Sequence, residues 1–147
     1  MKNLKTMLSS KDMTWETPQD FFDKLDKEFD FTLDPCATKE TAKCKKFYTK
    51  EDDGLIQDWT RETVFCNPPY GTEIKHWVKK CYDEMHKKNI NDRAWRVVML
   101  IPARTDTIYF HEYIYHKAEI RFIKGRLKFG SSSNSAPFPS MLVIFNN

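Results

Sequence analysis

The sequence predicts an α/β fold, with strands running into helices around a parallel sheet. Three stretches carry that expectation. Val64-Phe65-Cys66 is a short apolar run that ends abruptly at Asn67-Pro68-Pro69-Tyr70-Gly71. Each proline lacks an N–H and fixes φ, so strand pairing has to stop there. Ile74, Trp77, Val78, Cys81, Tyr82 and Met85 then recur at the spacing of one helix face. Val97-Val98-Met99-Leu100-Ile101 is unbroken and apolar, as a parallel strand covered on both faces would be.

The other elements follow in chain order. Residues 1–14 show no periodic pattern and are expected to form a mobile tail, with one folded domain over 15–147. Thr17, Pro18 and Asp20 read as N-cap, N1 and N3 of a helix reaching Phe29, with Phe21, Phe22, Leu25 and Phe29 on one face. Asp30 ends that helix. Phe31-Thr32-Leu33 reads as a first strand and Lys46-Phe47-Tyr48-Thr49 as a second, followed by an acidic loop at Glu51-Asp52-Asp53-Gly54-Leu55. After Pro102, Thr105 or Asp106 can cap a helix containing Ile108, Tyr109, Tyr113 and Ile114. Glu119 to Ile123 reads as a strand, and Gly125 to Phe129 continues with alternation. The polar loop of residues 130–140 leads to a last strand from Met141 to Phe145, antiparallel to the one before it.

Composition narrows the function classes. With 40% hydrophobic and 31% charged residues in 147, the chain can bury one core, and no apolar run approaches the roughly 20 residues of a membrane span. The polar N-terminus shows no secretory signal, so the expected location is the cytoplasm. Four cysteines without a C-x-x-C pair argue for reduced thiols over a zinc site. Residues 1–60 carry 10 Lys and 13 acids, whereas residues 61–147 carry 14 Lys and Arg and 8 acids. A basic second half, densest from Lys117 to Lys128, is what a phosphate backbone attracts, although a solvated surface of mixed sign also fits.

Asn67-Pro68-Pro69-Tyr70 is where chemistry is expected. The residue before a proline is driven to extended geometry, so the chain leaves the sheet as a stiff hook. It carries an amide, a proline carbonyl and a tyrosine ring past the strand's carboxyl end, where open α/β sheets bind ligands. The hook resembles the signature of amino-methyltransferases, in which Asp or Asn, two prolines and an aromatic residue hold an exocyclic amine against the methyl of S-adenosylmethionine. An adenine N6 amine is a poor nucleophile because its lone pair is delocalised into the ring. Acceptors at Asn67 and Pro68 would bind its two hydrogens and aim that lone pair, and Tyr70 would stack on the ring. At other strand ends, Asp34 precedes Pro35, Asp53 lies in the acidic loop, and Arg104 stands where it could meet a phosphate, a cofactor carboxylate or Asp106. A glycine-rich phosphate cradle is absent, which disfavours a dinucleotide and does less harm to S-adenosylmethionine.

Taken together, the blocks resemble the phage-encoded DNA N-6-adenine methyltransferase (Dam) family over about residues 15–145. They are Trp15-x-Thr17-Pro18, Leu33 to Ala37, Asp53-Gly54-Leu55 with Trp59, Phe65 to Tyr70, Leu100 to Thr107, Gly125 to Phe129 and Ala136 to Ser140. The resemblance implies a class I S-adenosylmethionine-dependent (Rossmann-like) methyltransferase fold. That means a mostly parallel sheet, helices on both faces, and an antiparallel strand near one edge. It implies methylation of adenine N6 in double-stranded DNA, with Asn67, Pro68 and Tyr70 as the catalytic hook. Trp15, Thr17, Pro18, Asp34, Pro35 and Asp53 would line the cofactor site. Arg104, Arg121, Arg126 and Lys128 would meet DNA phosphates. RNA adenine or protein glutamine as the amine, or a non-catalytic nucleic-acid-binding module of the same fold, are the alternatives.

Overall fold

The computed structural model describes residues 15–130 and 134–146; the expected N-terminal tail lies outside them. The strands are β1 (Leu33–Asp34), β2 (Lys46–Phe47), β3 (Thr63–Cys66), β4 (Arg96–Pro102), β5 (Glu119–Phe122) and β6 (Ser140–Asn146). Among the described residues two α-helices, α1 (Gln19–Phe29) and α2 (Ile74–Met85), accompany them. The six strands form one sheet in the order β2-β1-β3-β4-β6-β5.

The expectation of a mostly parallel sheet is corrected: the sheet is mixed. Pairings β1–β2, β1–β3 and β3–β4 are parallel, whereas β6 runs against both β4 and β5. The cause lies between β5 and β6. A parallel return needs a crossover, usually a helix, and the described residues between β5 and β6, 123–130 and 134–139, form none. The antiparallel strand does stand second from one edge.

Alternation along β3 places a helix on each face of the sheet. The Phe65 ring meets Phe22 of α1 at 5.1 Å, and Phe31 at 5.3 Å. The next side chain, Cys66, turns the other way, toward the buried Cys81 of α2. Val64, Phe65, Cys66 and Val97 to Ile101 are at most 1% exposed, so the core lies across the middle strands. Glu84, buried in α2, accepts from the Trp59 amide at 2.7 Å and from Lys80 and Lys87. That network anchors the chain just before it enters β3.

Several elements depart from the sequence reading. Helix α1 begins one residue after Pro18, and no side chain caps it. Thr17, expected as the cap, is buried with its hydroxyl turned to Asn67. Asp30 does end the helix, in the left-handed region at φ 56°. The first strand falls at Leu33–Asp34 rather than 31–33. The helix expected after Pro102 is a short segment closing in a π-helical turn at Phe110–Ile114, and Thr107 rather than Thr105 or Asp106 meets its Phe110 amide. Gly125 to Phe129 forms no strand. Gly125 takes φ 77°, and the segment bonds to loops instead, through Ala136 N–H to the Leu127 carbonyl and Gly130 N–H to the Glu16 carbonyl.

Candidate active site

Parallel pairing of β1, β3 and β4 brings Asp34, Asn67 and the residues after Pro102 to one rim of the sheet. Asn67 is the centre of that rim. Its Nδ2 donates to the Trp15 carbonyl and, at 2.9 Å, to Thr17 Oγ1. Its Oδ1 is buried and has no hydrogen-bond partner among the described residues. A buried acceptor left unpaired costs about 1–3 kcal/mol, so this atom is either a cost without return or a socket for a donor. Pro68 is buried beside it, and no backbone N–H among the described residues donates to its carbonyl.

Tyr70 is 5% exposed, and its hydroxyl donates to the Leu100 carbonyl at 3.1 Å. Burial pushes its phenol well above the usual tyrosine range. Trp15 lies nearly parallel to the ring, at 20° with centroids 6.4 Å apart. Phe138 and Phe129 meet it edge-on at 5.6 and 6.2 Å. Stacking of a base on Tyr70 therefore requires one of these rings to withdraw. Phe129 and Phe138 are site neighbours that the sequence reading did not single out. Both lie in its recognised blocks, but nothing local in the sequence says that two loops fold back over the hook.

The expected cofactor residues divide. Trp15 and Thr17 touch Asn67 itself. Asp34 is buried, its two oxygens accepting from the Cys36 and Lys43 amides at 3.2 and 3.0 Å. It shapes its own loop more than it faces solvent. Asp53 is half-buried in the left-handed region, and its carboxylate accepts from Leu55 N–H at 3.2 Å. Pro35 is buried against Gly54, which joins the loops after β1 and β2.

Burial raises the Asp34 carboxyl to about 6, against the two amides that favour its charge. The folded state then binds a proton more tightly than the unfolded state, whose carboxyl titrates near 3.9. Between those values stability falls as pH rises, because the buried group must ionise. A rise of this size corresponds to roughly 3 kcal/mol. Asp34→Asn cannot ionise, and its loss of one acceptor carries no pH dependence. The stability of the native protein minus that of Asp34→Asn is expected to fall from pH 4 to pH 7 in urea unfolding. A difference that stays flat over this range contradicts the assignment.

The expected DNA residues divide as well. Arg104 is exposed just after β4, and Arg126 and Lys128 are exposed beside Phe129. Arg121 is not brought to this rim. It forms a bidentate pair with Glu28 at 2.7 and 2.8 Å, and a further pair with Glu119. Glu28 lies at the far end of α1 from Thr17, about 16 Å along the helix. An open cavity of about 590 Å³ adjoins the hook at Gly71 and Thr72 and is lined by α2 and by Asp106 to Tyr109, Glu112 and Tyr113, without Asn67.

Among known proteins, the DNA N-6-adenine-methyltransferase of Escherichia phage T1 is 32% identical over 115 residues, 77% of this chain and 45% of the phage protein. The chain thus spans less than half the length of that relative. YfdM of Escherichia coli (strain K12) is 36% identical over 63 residues, 38% of this chain and 69% of that protein. A family model, DNA N-6-adenine-methyltransferase (Dam), matches residues 3–147. With nearly the whole length matched and the Asn67 hook at its sheet rim, the chain belongs to the DNA N-6-adenine-methyltransferase (Dam) family.

Proposed function

We propose that this chain transfers a methyl group from S-adenosylmethionine to the N6 amine of an adenine in double-stranded DNA. The observation that carries the proposal is the buried, unpartnered Asn67 Oδ1, which the Pro68 carbonyl follows in the chain. Two acceptors without donors suit an amine with two hydrogens to give. Family membership supports the same chemistry, and the strand order supports a class I, Rossmann-like methyltransferase fold.

In this reading Asn67 and Pro68 draw the two amine hydrogens and turn the nitrogen lone pair out of conjugation. S-adenosylmethionine, when bound, supplies an electrophilic methyl. The rim fits such a group: it lacks phosphates, so no glycine-rich cradle is needed, and Asp53 and the half-buried Trp15 ring offer a carboxylate and an aromatic surface. The protein's part is alignment and a fixed polar environment. After transfer the nitrogen is cationic and releases its proton readily, so no strong base is required at the hook. A base inside a duplex cannot reach Asn67, and extruding it costs a few kcal/mol. Phosphate contacts by Arg104, Arg126 and Lys128 offset part of that cost; Arg121 is already committed to Glu28.

The test is transfer of labelled methyl from S-adenosylmethionine to duplex DNA, RNA and protein in parallel. Label in DNA supports the proposal. Label confined to RNA or to protein glutamine overturns the substrate, and absence of label with no cofactor binding by calorimetry leaves a binding module.

A further inference from the structure

We propose that Thr17 is a positioning residue that fixes which end of the Asn67 amide faces the substrate, rather than a contact to the cofactor. The inference rests on the methyl-transfer reading of the hook.

An asparagine amide has two chemically opposite ends, and only the oxygen end can receive an amine hydrogen. The surroundings of Asn67 decide which end points out. The Trp15 carbonyl carries lone pairs alone, so it can face only the NH₂ end. Turning the amide over would set two carbonyl oxygens against each other and offer N–H groups to an amine that is itself a donor. The chemistry of these neighbours thereby fixes the orientation.

The Trp15 carbonyl holds one of the two N–H groups, and Thr17 Oγ1 takes the other at 2.9 Å. Thr17 is 3% exposed and sits 50 residues away in sequence. It stands just ahead of α1, where a threonine hydroxyl commonly caps the helix, yet α1 has no side-chain cap. Its hydroxyl is turned to Asn67 instead. Both donors of Asn67 are thereby used, and Oδ1 is left as the buried atom without a partner. The amide is held from behind so that its oxygen is presented forward before any substrate arrives.

Thr17→Val keeps the shape and removes the acceptor, whereas Thr17→Ser keeps the hydroxyl. At saturating S-adenosylmethionine and DNA, kcat for Thr17→Val is expected to fall about tenfold, the factor carried by about 1.4 kcal/mol of lost hydrogen bonding. Cofactor affinity by calorimetry is expected to stay unchanged, and Thr17→Ser to recover turnover. Side-chain amide resonances of Asn67 read the same contact without turnover. Their exchange with water is expected to quicken in Thr17→Val and to return to the native rate in Thr17→Ser. If Thr17→Val does not fold, Thr17→Ala takes its place in each measurement.

The inference is overturned by unchanged kcat and unchanged amide exchange in the valine variant. It is also overturned by weakened cofactor binding with kcat intact, or by a serine variant as slow as the valine one. A wild-type protein that methylates nothing sinks the methyl-transfer reading, while the amide resonances still decide whether Thr17 holds Asn67.

Discussion

Asn67→Ala is expected to lower methyl transfer to DNA adenine by about 10²–10³-fold in kcat, the range seen when one preorganised polar contact to a reacting group is removed. The expected stability change is small, and that contrast makes the variant informative. Alanine leaves the Trp15 carbonyl and Thr17 hydroxyl without their donor, a loss of about 1 kcal/mol for each bond. It also removes the buried Oδ1 that has no partner, a relief of about 1–3 kcal/mol. The two effects roughly cancel. A residue kept for packing would behave in the opposite way, with a drop in stability and no special loss of rate. Steady-state turnover and urea unfolding on the same preparation distinguish these outcomes. Near-native turnover in a folded Asn67→Ala protein removes the hook from the mechanism.

Gly54→Ala is expected to cost the protein a large part of its stability. A Cβ there would lie 2.4 Å from the Pro35 carbonyl oxygen, 3.0 Å from Trp77 Cη2 and 3.2 Å from Pro35 Cβ. The first neighbour is backbone and cannot swing aside, so one of the two loops must move. Overpacking of this kind costs about 1–3 kcal/mol or more. Trp59 adds to the cost, because its indole N–H donates to the Gly54 carbonyl at 3.2 Å and the residue is fully buried. For a domain of this size about 3 kcal/mol lowers Tm by roughly 10 °C. The same displacement separates Asp53 from the loop that holds Asp34 and Pro35, so weaker S-adenosylmethionine binding below the melting range is expected to accompany it. An unchanged Tm by calorimetry would show that the loops yield without cost and that their contact does not hold the rim together.

The middle of the fold was legible because its signals are local. Phe65 to Tyr70 reads as strand then hook since two prolines allow little else, and the stripe from Ile74 to Met85 can form only one helix face. The apolar run over 97–101 lies where it was expected, inside β4. The direction of β6 was half legible: pairing with β5 followed from a connection lacking a helix, but its insertion beside β4 depends on the whole sheet. Gly125 to Phe129 misled because alternation marks a side chain that turns inward every second residue, and Phe129 turns inward onto Tyr70 rather than into a sheet. Thr17 misled for a similar reason. Threonine before Pro18 satisfies the local rule for a helix cap, while the stronger demand on its hydroxyl comes from Asn67 across the fold. Arg121 looked like a free cation in a basic segment, and only the packing of α1 against β5 brings Glu28 to it. Local chemistry thus picked out the hook, whereas the contacts from Trp15 and Thr17 that hold its Asn67 side chain span the chain.

The most direct test of the account is the nucleoside that carries the methyl group. Duplex DNA is incubated with the protein and methyl-labelled S-adenosylmethionine, digested to nucleosides and resolved by chromatography and mass. N6-methyl-2′-deoxyadenosine is expected with the native protein, and its loss with Asn67→Ala. Label in any other nucleoside, or N6-methylation that persists in the alanine variant, would contradict it.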